Sequence, residues 1–117
     1  MNKSVLIADD SLFMRTWLKS ILTAHNYEIF EAADGAEAIA AYALYKPSLV
    51  LMDITMNKLN GLEALKKIIE FDPSAKVVMC SSLGQKQLII EALKLGAKDF
   101  IVKPYFDQLI PILDNIE

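Results

Sequence analysis

A single cysteine and a single histidine stand among 117 residues. One cysteine forms no intrachain disulfide, and its solitary use fits a reducing compartment. One histidine without a cysteine pair leaves no nitrogen–sulfur set that would favour zinc. Long apolar runs are missing as well. The opening MNKSVLIADD meets acid after five apolar or small residues, too few for a signal-peptide core or a membrane span. A cytoplasmic protein is expected, with no membrane insertion. Positive charge is not in excess: the net charge is −3, which argues against non-specific nucleic-acid binding. Neither a repeat nor a low-complexity segment interrupts the chain.

What is present is an ordinary globular mixture, with 54% hydrophobic and 23% charged residues. The length fits one domain spanning residues 1–117, large enough to bury a core without staples. Short apolar runs alternate with segments of helical period. Residues 5–8 read as a first strand. Ser11 is placed to cap a first helix carrying Phe13, Met14, Trp17, Leu18, Ile21 and Leu22 as a broad apolar stripe, ended by His25-Asn26. Residues 27–32 read as strand, then 36–45 as helix stopped by Pro47, 49–52 as strand, 60–71 as helix and 76–80 as strand. Residues 85–95 read as a fourth helix closed by Gly96, and 100–102 as a fifth strand. A last helix begins near Asp107, with Pro111 in or near its first turn. Strict alternation predicts an α/β fold: a five-stranded parallel sheet with helices on both faces.

In such a sheet, ligands bind beyond the carboxyl ends of the strands. Asp9-Asp10 follow the first strand, Asp53 the third, Ser81-Ser82 the fourth and Lys103-Pro104 the fifth. Each has an ordinary reading as a turn residue, a helix cap or a solvated side chain. Their convergence on one edge is what carries weight. Two carboxylates about 5 Å apart repel by roughly 3 kcal/mol at an effective dielectric near 20. A divalent cation removes that cost, and an oxygen-only donor set suits Mg²⁺. A carboxylate beside Mg²⁺, a lysine and a hydroxyl is a phosphoryl-transfer arrangement, with Asp53 as the group to be phosphorylated.

The landmarks VLIADDS, LMDITM with Gly61 eight residues after Asp53, VVMCSS and DFIVKPY, in that order, resemble the receiver domains of two-component response regulators over essentially the whole chain. DDSLFMR, CSSLGQ and GAKDFIVKPY look most like single-domain chemotaxis regulators of the CheY type. The resemblance implies a flavodoxin-like (βα)5 sandwich with strand order 2-1-3-4-5. It implies that Asp53 is the phosphoacceptor and that Asp9, Asp10, Asp53 and the backbone carbonyl of Thr55 hold Mg²⁺. Lys103 then pairs with the phosphoryl group, and Ser81 and Phe100 are the switch pair. A histidine kinase is the implied phosphodonor. A flagellar motor switch protein or another output protein is the implied target, a phosphatase is possible, and the protein is expected to be a monomer. Two departures stand out: Asn57 replaces the proline usual after Met56, and Phe100 replaces a tyrosine at the switch position.

The expected output face is the fourth helix, fifth strand and fifth helix, with Lys86, Ile89, Leu93, Phe100 and Tyr105 as its contacts. On the fourth helix Leu88, Ala92 and Leu95 form one apolar stripe, and Ile89 and Leu93 form a second about 100° around. One sheet contact rarely uses that much of a helix. Either part of it is open to a partner or the fifth helix covers it. Lys86, Lys94 and Lys98 at its rim suit an acidic partner.

Rival functions are weaker. A flavin mononucleotide carrier on the same topology needs a phosphate-cradling loop after the first strand, where Asp9-Asp10-Ser11 stands. A dehalogenase-type phosphatase needs a second aspartate two residues after the nucleophile, where Thr55 stands, so a multi-turnover enzyme is not expected. Within the family, a phosphorelay intermediate or the receiver part of a longer regulator remains the alternative to a single-domain chemotaxis protein.

Overall fold

The computed structural model describes residues 3–56, 60–82 and 86–116. Five parallel strands, β1 (Ser4–Ala8), β2 (Glu28–Ala32), β3 (Leu49–Asp53), β4 (Val77–Ser81) and β5 (Asp99–Val102), form one sheet in the order 2-1-3-4-5. Helices α1 (Leu12–Ala24), α2 (Gly35–Tyr45), α3 (Gly61–Phe71), α4 (Lys86–Lys94) and α5 (Leu109–Ile116) connect and follow them. The parallel α/β sheet is the one expected from the alternation, and its strand order is the flavodoxin-like one that the family resemblance implies.

The two-residue period of the strands divides the core. Leu6, Val50, Met52, Val77 and Met79 point to the layer shared with α2, α3 and α4. Val5, Ile7, Leu49, Leu51, Val78 and Ile101 point to the layer shared with α1 and α5. Both faces are covered, so β3 and β4 are buried along their whole length, as continuous apolar runs require. The charged Asp53 and the polar Ser81 sit at the buried carboxyl ends of those two strands.

Local chemistry sets the helix starts. Ser11, Asp34 and Asn60 each accept the amide of the residue three on, at Met14, Glu37 and Glu63. At the far end of α4, Gly96 takes φ 112°, a conformation an L side chain rarely adopts. Most boundaries fall within one residue of those read from the sequence. Gln85, the expected start of the fourth helix, lies outside the described residues, as does Asn57.

Three expectations need correction. The last helix does not start at Asp107: a 3-10 turn at Phe106–Gln108 precedes α5, and Pro111 falls in the first turn of α5. Tyr27 is buried but precedes β2 rather than belonging to it. The stripe on α1 is narrower than it reads, because only Leu18 and Leu22 are fully buried beneath it. Phe13 is 72% exposed, and Trp17 stands edge-on to Phe106 with centroids 5.2 Å apart at the rim of the layer. A helix lying on one sheet buries one row of residues, and its neighbours at helical spacing are left at the edge. Among the described residues, no helix is long and apolar enough to cross a membrane.

Candidate metal and phosphoacceptor site

The parallel register brings the carboxyl ends of β1, β3, β4 and β5 to one edge, where the polar residues at or just after these strand ends gather. One carboxylate oxygen from each of Asp9, Asp10 and Asp53 lies within 4.8 Å of the others. Asp9 and Asp53 are buried, whereas Asp10 is exposed at the mouth. An all-oxygen cluster of this kind, open on one side, fits a hard cation that keeps part of its water.

Lys103 enters from the end of β5. Its Nζ lies 2.5 Å from Asp9 Oδ2 and 3.3 Å from Asp53 Oδ1. Its backbone amide donates to the Ser81 carbonyl at 2.8 Å, which ties the lysine to the end of β4. The 103–104 peptide bond is cis. Burial works against the ammonium charge, but the Asp9 hydrogen bond and the charges of Asp53 and Asp9 outweigh it and hold Lys103 above its ordinary value. Lys103 therefore offsets part of the charge on which the apolar run ends.

Asp53 itself is pushed up to about 6, chiefly by burial, with Lys103 pulling it down and Asp9 pushing it further up. At neutral pH it is mostly ionised, yet poorly solvated, which suits a nucleophile. The Thr55 amide approaches its Oδ1 at 3.4 Å. Cys80, which faces Asp53 across the β3–β4 pairing, is driven up to about 12 by burial and stays a thiol.

The loop after β3 is tied to α3. The Gly61 amide donates to the Ile54 carbonyl at 2.8 Å, and a Cβ on Gly61 would stand 2.0 Å from the Asp53 carbonyl oxygen. The sequence marks Gly61 as a landmark; the structure gives its steric reason. Ser81 is buried at its strand end, and Thr55 is exposed at the mouth.

The residues expected at the output face differ in exposure. Lys86 is exposed, Ile89 and Phe100 are half-buried, Leu93 is 46% exposed and Tyr105 is 69% exposed. Leu88, Ala92 and Leu95 pack into the α2–α4 layer, while α5 packs into the opposite one. On the second stripe of α4, Leu93 is thus left exposed and Ile89 half-buried.

Arg15 and Glu31 were passed over in the sequence. Arg15 Nη1 donates to the Asp9 carbonyl at 2.6 Å, and its Nε donates to Glu31 at 3.1 Å. The signal that could have drawn attention is a cation near the N-terminus of a helix, where the backbone dipole disfavours it.

The model of the response regulator receiver domain matches residues 5–114. The chain is 53% identical over 106 residues to the chemotaxis protein CheY of Thermotoga maritima, covering 90% of this chain and 88% of that one. It is 51% identical over 114 residues to CheY of Listeria monocytogenes, covering 97% and 94%. Among solved structures, CheY in the CheX–CheY–BeF3–Mg²⁺ complex of Borrelia burgdorferi superposes with a TM-score of 0.94 at 40% identity, covering 97% of this chain and 88% of that one. Three carboxylates at one sheet edge, two of them against the Lys103 ammonium, agree with what these matches show: the chain belongs to the response regulator receiver family and is not a multi-turnover enzyme.

Proposed function

We propose that the chain is a chemotaxis switch operated by phosphorylation of Asp53. An Asp53 carboxylate oxygen attacks the phosphorus of a phosphohistidine on a histidine kinase. The new P–O bond forms as the P–N bond breaks, and the departing imidazole keeps the electron pair and takes a proton. Water later attacks the same phosphorus, releasing inorganic phosphate and restoring the carboxylate. Asp9, Asp10, Asp53 and the Thr55 carbonyl would hold Mg²⁺, which when bound offsets charge on the phosphoryl oxygens. Lys103, already within 3.3 Å of Asp53, supplies a second cation to the same oxygens. The Ser81 hydroxyl, at the end of β4, donates to a phosphoryl oxygen and reports its presence.

The observation that carries this reading is the meeting of the three carboxylates and Lys103 Nζ at one strand edge. Phosphorylation adds charge there, and a distant partner senses it only if the phosphate favours one of two conformations. Ser81 moving toward the phosphate and Phe100 turning inward are the two halves of that change. Lys86, Ile89, Leu93, Phe100 and Tyr105 then engage the output protein, and the half-exposed second stripe of α4 supports this. The output is a flagellar motor switch protein, and the chain acts as a cytoplasmic monomeric receiver over residues 1–117. The complex of the Borrelia relative with CheX makes a phosphatase of that kind a candidate terminator.

Binding of a flagellar switch peptide, measured with and without beryllofluoride and Mg²⁺, tests the reading. Tighter binding in the activated state is expected. Rapid passage of the phosphoryl group to a histidine phosphotransfer domain, with no activated peptide binding, would replace the motor output by a relay role.

A further inference from the structure

Asp9 is gripped at every polar atom it has. Its amide donates to the Ala32 carbonyl at 3.0 Å, and its Oδ1 accepts the Ser11 amide at 2.9 Å. Its Oδ2 accepts from Lys103 at 2.5 Å, and its carbonyl accepts from Arg15 Nη1 at 2.6 Å. Asp10, the next residue, is exposed, and among the described residues no side chain holds its carboxylate. The direction in which its side chain leaves the chain is therefore set by the backbone on either side of it.

Arg15 controls that backbone from a fixed base. Its side chain runs back toward the start of α1, as helical side chains do. Its guanidinium lies between the Asp9 carbonyl and Glu31 Oε1, and its side chain is 15% exposed. Glu31 belongs to β2, which pairs with β1 through Ile7, and it also receives Lys19 at 3.6 Å. The planar fork of an arginine reaches both acceptors at once, which the point charge of a lysine does not. The charge itself works the other way: a cation beside a cation site weakens metal binding.

We propose that Arg15 is a positioning residue for the metal, clamping the Asp9 carbonyl to the end of β2 so that Asp10 projects toward the ion. The inference rests on the Mg²⁺ reading above and makes opposite claims for charge and for geometry. The test is Mg²⁺ titration by calorimetry of the unmodified chain, Arg15→Ala and Arg15→Lys, with melting in chelator as the control for folding. Partners of metal ligands typically contribute about tenfold or more in affinity. Arg15→Ala should weaken Mg²⁺ about tenfold although a repelling charge has gone, and Arg15→Lys, which keeps the charge, should also weaken it several-fold. Equal or tighter binding by Arg15→Ala would overturn the clamp. Full binding by Arg15→Lys would overturn it too, and that variant decides alone if Arg15→Ala does not fold. An unmodified chain that binds no Mg²⁺ would instead remove the metal reading on which the clamp depends.

Discussion

Replacing Asp53 by asparagine should make the metal-free protein more stable while destroying its function. The Asp53 carboxyl is pushed up to about 6, first by burial and then by the Asp9 charge, against the pull of Lys103. In an unfolded chain an aspartate titrates at about 3.9, and each pH unit of difference is worth ~1.36 kcal/mol, so ionising Asp53 costs the fold up to about 3 kcal/mol. The folded value lies above the unfolded one. The native state therefore binds more protons between about pH 4 and 6, and stability falls as pH rises through that window, with the whole penalty in place above about pH 7. Asparagine does not ionise. It keeps an acceptor for the Thr55 amide but loses the charged partner of Lys103, so a net gain of about 1–3 kcal/mol is expected at pH 7.5, or roughly 5–10 °C in Tm for a domain of this size. Melting followed by circular dichroism in chelator, at pH 4 and pH 7.5, reads this directly. The gain should vanish at pH 4, and added Mg²⁺ should close the gap by stabilising the unmodified protein. A variant that melts lower at pH 7.5, or whose gain is independent of pH, would refute the electrostatic account of the pocket.

Removing Lys103 leaves Asp9 and Asp53 facing each other. Lys103→Met should destabilise the chelated protein by about 3 kcal/mol, the usual cost of stripping one partner from a buried pair, and should tighten Mg²⁺ in a titration because a competing cation is gone. Gly61→Ala forces a methyl to within 2.0 Å of the Asp53 carbonyl oxygen. The backbone must shift, so urea denaturation should show a loss of about 2 kcal/mol or more, together with slower labelling of Asp53 by a phosphodonor. Leu93 is 46% exposed, and Leu93→Asp should change Tm by little, within about 0.5 kcal/mol, while abolishing activated binding of the switch peptide.

Much of the site was legible because topology does the gathering. Once strands and helices alternate in a parallel sheet, every strand ends on the same side, and the residues just past Ala8, Met52, Cys80 and Val102 must meet. The layer assignment was less accessible. Phe13, Trp17, Leu18 and Leu22 all sit at helical spacing on α1, and only packing against the sheet decides that Leu18 and Leu22 are the buried pair. The same holds for α4, where Leu88 and Ala92 pack into the layer opposite α5 while Leu93 stays exposed, a fact of three-dimensional connection rather than of local pattern. Arg15 was invisible for a related reason. One acceptor follows β1 and the other lies on β2, and nothing in the spacing from Asp9 to Glu31 says that one guanidinium reaches both.

Intact mass after incubation with Mg²⁺ and acetyl phosphate, with Asp53→Asn and a chelated sample alongside, addresses the central claim most directly. The account expects one phosphoryl group on the unmodified chain and none on either control. An unmodified chain that stays unlabelled and also fails to bind beryllofluoride with Mg²⁺ would contradict it.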